Sequence, residues 1–171
     1  MLESARARDR SEREMFEKIL VPLDGSELAE EVLTRVTELA KRLDSTVLLL
    51  QAVDTLSQRL IALNGIEPAG AVAANVEAVE KAIDAEKEVT ETYLARLKRH
   101  FEGEGLKVES FLGEGSPADV ILDLAKEQNV GLIAMTTHGR GGLGRLVFGS
   151  VSDAVLRHST IPVLLLRSTD K

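Results

Sequence analysis

The sequence has no cysteine and no tryptophan among its 171 residues. Without thiols there is no disulfide, no thiolate nucleophile, no zinc–cysteine site and no iron–sulfur cluster. A chain of this length folds as one domain, with or without a tail. It buries roughly 70% of the surface its unfolded state exposes, so it needs no such staples. Aromatic residues are only 3%, too few for the stacking platforms that hold single-stranded nucleic acid. No apolar run approaches the roughly 18 residues that span a bilayer. The N-terminal MLESARARDRSERE is too charged for a signal peptide, and the expected address is the cytoplasm. Positive charge is in deficit: 21 Lys and Arg face 28 Asp and Glu, a formal net charge of −7. Such an overall field suits neither a nucleic-acid backbone nor insertion at an anionic membrane.

What is present is a regular alternation. Residues 1–15 mix charges without an apolar face and read as a flexible or helical tail; residues 16–168 read as the domain. The run KILVPL at 18–23 is apolar at both parities, as a strand buried in a parallel sheet would be, and is expected to loosen or end near Pro22. Ser26 is placed to cap the next helix, with Glu27 and Glu30 in its first turn. Val32, Leu33, Val36, Leu39, Ala40 and Leu43 then recur at helical spacing. A second strand spans 46–53, and 54–75 reads as a loop with room for one short helix. Residues 76–101 form a long helix that mostly faces water, and 106–112 a half-exposed strand. Ser116, Pro117 and Asp119 read as a helix start with a capping box. Strands follow at 130–135 and 161–166, separated by a short helix at 150–157. There is no internal repeat. Five strands alternating with helices make a doubly wound α/β domain with a parallel sheet. Its site belongs at the carboxyl ends of the strands where strand order reverses, between the first and the fourth.

The chemistry concentrates after the fourth strand, in MTTHGRGGLGRLVFGSVSDAVLRH. Five glycines fall between positions 139 and 149. Gly139, Gly141 and Gly144 fit the dinucleotide pattern literally, but the helix opens later and Leu164 stands about where that pattern needs an acidic residue. Gly139 and Gly144 have the spacing of a P-loop, but Arg145 and Leu146 replace its Lys and its hydroxyl. What survives is physical. Bare backbone N–H groups can approach an anion, and Gly149-Ser150-Val151 opens a helix whose N-terminus attracts one. Ser150 can cap that helix or donate to a phosphate. Arg140 and Arg145 add positive charge. No Asp or Glu occurs from Gln128 through Ser152, and residues 136–171 hold five basic residues and two acidic ones. A small anion is welcome here, on an otherwise acidic chain.

These residues resemble the universal stress protein family over about residues 16–168. The family's nucleotide-binding members carry G-x-x-G, nine residues, then G-[S/T]. Here Thr136 stands in place of the first glycine, Gly139 is the second, and Gly149-Ser150 closes the motif. ILVPLDGS at the start and HSTIPVLLL at the end resemble the family too. The resemblance implies a five-stranded sheet of order 3-2-1-4-5 with helices on both faces, ATP binding with Mg²⁺, and homodimers. Pro22, Leu23 and Asp24 would lie on the adenosine side. Ala52 and Val53 would lie at the adenine edge, met through the Val53 backbone. Met135, Thr136, His138, Gly139 and Arg140 would wrap the ribose and lead to the phosphates, which Gly139, Gly149, Ser150, Val151 and Ser152 would bind. Where the position of Thr136 needs φ > 0, a β-branched residue is strained; where it needs only close approach, its hydroxyl can meet the ribose.

Asp24 is repelled by a polyphosphate unless a ribose hydroxyl or a divalent cation intervenes. A ribose or adenine contact is expected first, a weak Mg²⁺ contact second, and a turn-forming role in Asp-Gly-Ser is the alternative. His138 contacts a phosphate or orients the loop, His158 suits a helix C-terminus, and His100 is a surface residue. Three scattered histidines make no catalytic metal site, and no nucleophile–base pair is evident, so hydrolysis is expected to be slow at most. The expected protein is thus a stress-associated, nucleotide-dependent switch acting on a regulatory partner protein. Its dimer would form through the edge strand that opens on Ile161 and closes on Leu166, an apolar edge that needs cover. The rival readings are an interaction protein that has lost ATP or takes another adenine nucleotide such as cyclic AMP, and a genuine ATPase or phosphotransferase.

Overall fold

Side chains alternate across a strand, so a strand covered on both sides is apolar at every position. That is how the apolar runs are used. In the computed structural model, which describes residues 16–64, 76–136 and 149–166, β1 (Lys18–Leu23) sends Ile19, Val21 and Leu23 to one side of the sheet and Leu20 to the other. β2 (Thr46–Val53) does the same with Val47 and Leu49 against Leu48 and Leu50. On the first side lie α1 (Glu27–Leu43) and α3 (Val76–Gly103), with Val32, Val36, Leu94 and Leu97 buried. On the second lie α4 (Pro117–Glu127) and α5 (Ser150–His158), with Ile121, Ala125 and Val155 buried. The remaining elements are α2 (Leu56–Asn64), β3 (Lys107–Glu114), β4 (Leu132–Thr136) and β5 (Val163–Leu166). The sheet is five-stranded in the order β3-β2-β1-β4-β5, and every pairing is parallel. The expected doubly wound fold is therefore what forms.

Pro22 does not end β1. Its pairing with β2 runs on to Leu23, opposite Gln51, while its pairing with β4 stops at Leu20 opposite Ile133. The Glu17 carbonyl accepts from Thr46 on the β2 side, and the Lys18 carbonyl accepts from Gly131 on the β4 side. Backbone groups of alternate residues face alternate neighbours, so Pro22 faces β4. Its missing N–H falls where the ladder has already parted, and the strand loosens on that side alone.

Three further expectations are corrected. Ser116 precedes α4, with Pro117 in the first turn as expected, but its side chain makes no capping hydrogen bond, so the capping box with Asp119 does not form. The N-cap of α5 is Gly149, and Ser150 is the first helical residue rather than the cap. The last strand starts at Val163, because Pro162, without an N–H, only lends its carbonyl to Ile133 N–H at 3.0 Å. The expected tail at 1–15 and the last residues of the expected domain lie outside the described residues. No helix among the described residues is long and apolar enough to cross a membrane.

Candidate functional site

Strand order reverses at β1, which joins β2 on one side and β4 on the other. Beyond Leu20 and Ile133 these two strands no longer pair, which leaves a crevice between their carboxyl ends. Such a crevice is the usual place for a ligand in an open α/β sheet. Leu23 and Asp24 follow the last β1–β4 pair on one strand, Met135 and Thr136 on the other. Ile133 N–H points away toward Pro162, so by alternation the backbone of Thr136 faces the crevice. Thr136 is a regular strand residue, opposite Leu166, and does not have positive φ. The β-branched side chain is thus unstrained there, and only its close approach to a ligand remains at issue.

The helix between two parallel strands runs back along the sheet, so α5 begins at the same carboxyl end. Gly149 offers its first turn no side-chain acceptor. The first intrahelical bond is Asp153 N–H to the Gly149 carbonyl at 2.9 Å, so the helix supplies no acceptor to the amides ahead of it, Ser150 and Val151 first among them. Ser150 is exposed, and Val151 is half-buried against the core on the second side of the sheet. Ser152 is buried and turns its hydroxyl back to the Gly149 carbonyl at 2.9 Å. A positive helix end that no side chain caps among the described residues is suited to an anion. His138, Gly139 and Arg140, expected to complete it, lie outside the described residues.

The adenosine side is built by β1 and β2. Asp24 sits in a tight turn in which Gly25 takes φ 76°, a conformation glycine adopts without strain. Asp24 Oδ1 accepts from Ser26 N–H at 3.0 Å and from Ser26 Oγ–H at 2.6 Å. The turn-forming alternative for Asp24 is therefore real, and the turn holds the carboxylate at the end of β1. Ser26 also caps α1, its Oγ accepting from Ala29 N–H at 3.1 Å, as the sequence indicated. At the end of β2, the Val53 carbonyl accepts from Gly115 N–H at 2.9 Å. One of its two lone pairs is thus in use, and the backbone of Ala52 is the one turned toward β1.

Two groups near this end were not anticipated. Thr55 and Gln58 cap α2 reciprocally, Thr55 N–H donating to Gln58 Oε1 at 2.8 Å and Gln58 N–H to Thr55 Oγ1 at 3.3 Å. The T-x-x-Q spacing was the available signal. Arg59 then ties α2 to Asp54, at 3.4 Å, and to Glu86 of α3. On the α1 side, Tyr93 of α3 packs against the core with its hydroxyl buried close to Glu30. Burial first, and then Glu30, hold the phenol well above its usual range; Arg96 opposes this and Asp24 adds a smaller push in the same direction as Glu30. Arg96 lies 5.4 Å from the ring centroid and 3.2 Å from Glu30 Oε1. Among the described residues no group of three or more His, Asp or Glu is placed to hold a metal ion.

The profile of the universal stress protein family matches residues 15–167. The chain belongs to this family. Universal stress protein YxiE of Bacillus subtilis is 32% identical over 157 residues, covering 90% of this chain and all of that one. The solved structure of MJ0577, a universal stress protein of Methanocaldococcus jannaschii, has a TM-score of 0.76 at 26% identity, over 92% of this chain and 99% of that one. A universal stress protein solved in complex with cAMP shares the fold, with a TM-score of 0.58 at 19% identity, over 89% of this chain and 97% of that one.

Proposed function

We propose that this universal stress protein binds ATP across the crevice between β1 and β4 and acts as a homodimeric, nucleotide-dependent regulator. The observation that supports the reading is the start of α5 at Gly149, which no side chain caps among the described residues, on the connection that follows β4, the strand whose ladder with β1 parts beyond Ile133. Amides at a helix N-terminus bind phosphate oxygens through direct hydrogen bonds and the helix dipole. Asp24, at the opposite wall, is a hydrogen-bond acceptor for a ribose or adenine donor. Ala52 and Val53 extend that wall toward an adenine edge. Pro22 and Leu23, Met135 and Thr136 supply the floor, and His138, Gly139 and Arg140 are assigned to the ribose–phosphate side by the family motif alone.

A magnesium ion fits this reading only as a companion of the phosphates. Magnesium is typically held by one or two carboxylates plus phosphate oxygens, and Asp24 is the one carboxylate that the described site offers. The cation would neutralise phosphate charge. The chain's part is to supply Asp24 and the α5 amides around it. The edge strand β5 is the dimer face in this reading, since Val163 to Leu166 present a half-buried apolar edge. The working address is the cytoplasm, where ATP is abundant.

Equilibrium binding of labelled ATP, with and without Mg²⁺, tests the reading. Saturable binding is expected, and its absence below millimolar concentration would sink it. The relative solved with cAMP makes cyclic AMP the competitor to include. Displacement of ATP by a lower concentration of cyclic AMP would move the assignment to the cyclic nucleotide at the same crevice.

A further inference from the structure

Ser26 does two jobs with one hydroxyl. Its oxygen accepts the Ala29 N–H at 3.1 Å, and its single proton goes to Asp24 Oδ1 at 2.6 Å. The second distance lies in the range of charge-assisted O–H···O⁻ bonds, which are roughly twice as strong as neutral ones. The same carboxylate oxygen also takes the Ser26 N–H at 3.0 Å. Asp24 is therefore held from two directions by one residue, and that residue is in turn fixed to the first turn of α1, where Ala29 is buried. We propose that Ser26 is a positioning residue: it pre-orients the Asp24 carboxylate for the nucleotide, so that the ligand need not order it. This rests on the ATP reading of the crevice, because Asp24 is the group through which Ser26 would act.

Helix capping does not explain the pairing. A cap needs only an acceptor, and Asn, Asp and even Gly serve nearly as well as Ser. Donation to Asp24 needs the hydroxyl proton. The two roles separate by substitution. Ser26→Gly loses the hydroxyl but costs the helix little. Ser26→Thr keeps the hydroxyl, and its β-branched side chain suits the extended backbone of residue 26, φ −85° and ψ 150°. A pre-fixed side chain lowers the ordering cost of binding, so its loss reads directly in affinity.

The experiment is calorimetric titration of ATP into the wild-type chain, Ser26→Gly, Ser26→Thr, Asp24→Ala and the Asp24→Ala/Ser26→Gly double variant, with thermal melts confirming folding. Ser26→Gly is expected to weaken binding about five- to tenfold, the ordering cost of one side chain that the ligand must then meet, while Ser26→Thr stays within about twofold. With Asp24 already removed, Ser26→Gly should add less than about twofold, the coupling that a double-mutant cycle isolates. Equal losses in the two backgrounds, or none in either, overturn the positioning role. Where Asp24→Ala leaves no measurable binding, the contrast between Gly and Thr decides alone, and a Thr variant as weak as Gly overturns it. A wild-type chain that binds no ATP overturns the ATP reading itself and the positioning role with it. Wild-type binding without the coupling removes only the positioning role.

Discussion

The Ser152 hydroxyl donates to the Gly149 carbonyl at 2.9 Å, and the residue is 3% exposed. A serine has one proton to give, and this one closes the first turn of α5. The side chain therefore cannot also donate to a phosphate, whereas Ser150, one turn edge away and exposed, can. Ser152→Ala is expected to lower stability by about 1 kcal/mol, read as a lower urea midpoint, and to change ATP affinity less than about threefold. Ser150→Ala should do the reverse, weakening ATP with little effect on the midpoint. An affinity loss at Ser152 as large as that at Ser150 would contradict this division.

Gly149 has φ −59° and ψ 153°, a conformation open to any residue, so its glycine is not demanded by the backbone. An aspartate there would cap α5, worth a few tenths of a kcal/mol over glycine, and would also place a negative charge where the phosphates belong. Gly149→Asp is expected to raise the melting temperature slightly while weakening ATP by more than about tenfold. Opposite signs from one substitution would show that the bare helix start serves a ligand. A variant that is more stable and binds ATP normally would count against the site.

The fold was legible because its strands are apolar at both parities and its helices are spaced between them. The strand order, with β1 beside β4, came from the resemblance to the family, since alternation alone does not say which strand neighbours which. The details that escaped were decided by side-chain competition. Ser116 and Asp119 spell a capping box, and the Ser116 carbonyl does start the helix by accepting from Val120 N–H at 3.0 Å, yet the Ser116 side chain makes no cap bond. Ser150 looks like a cap, but the glycine before it takes that place. Thr136 could be read two ways until its backbone proved to be plain strand. Tyr93 and Arg59 were invisible as site neighbours because their partners, Glu30 and Glu86, lie 63 and 27 positions away in the chain, and no local spacing links them.

Gly113 in β3 faces Val120 of α4. A Cβ added to it would collide with Val120 Cγ1 and meet Leu50 Cδ1 at 3.6 Å. Valine has little rotamer freedom in a helix, so α4 itself must shift. Gly113→Ala is expected to destabilise the chain by about 1–3 kcal/mol, as overpacking does. Gly113→Ala with Val120→Ala should recover part of the loss, although that pair leaves a small cavity. Denaturant unfolding of the four variants of the cycle checks it, and independent, additive losses would mean the two residues do not meet.

Tyr93 is the chain's only tyrosine, and there is no tryptophan, so the tyrosinate absorbance band reports this residue alone. Its phenol is held above the ordinary value of 10.0 by burial first and by Glu30 second. The sign follows from proton linkage. Above about pH 10 the unfolded chain releases the phenolic proton while the folded chain keeps it, so the unfolded state binds fewer protons and stability falls as pH rises. Below that pH both states are protonated and Tyr93 contributes no slope. The native band should therefore stay flat through about pH 10 and rise there only in urea. Tyr93→Phe should remove this part of the alkaline loss of stability. Glu30→Gln should lower the native midpoint without returning it to the unfolded value, because burial is the larger cause. A native midpoint equal to that in urea would mean that the hydroxyl is neither buried nor close to Glu30.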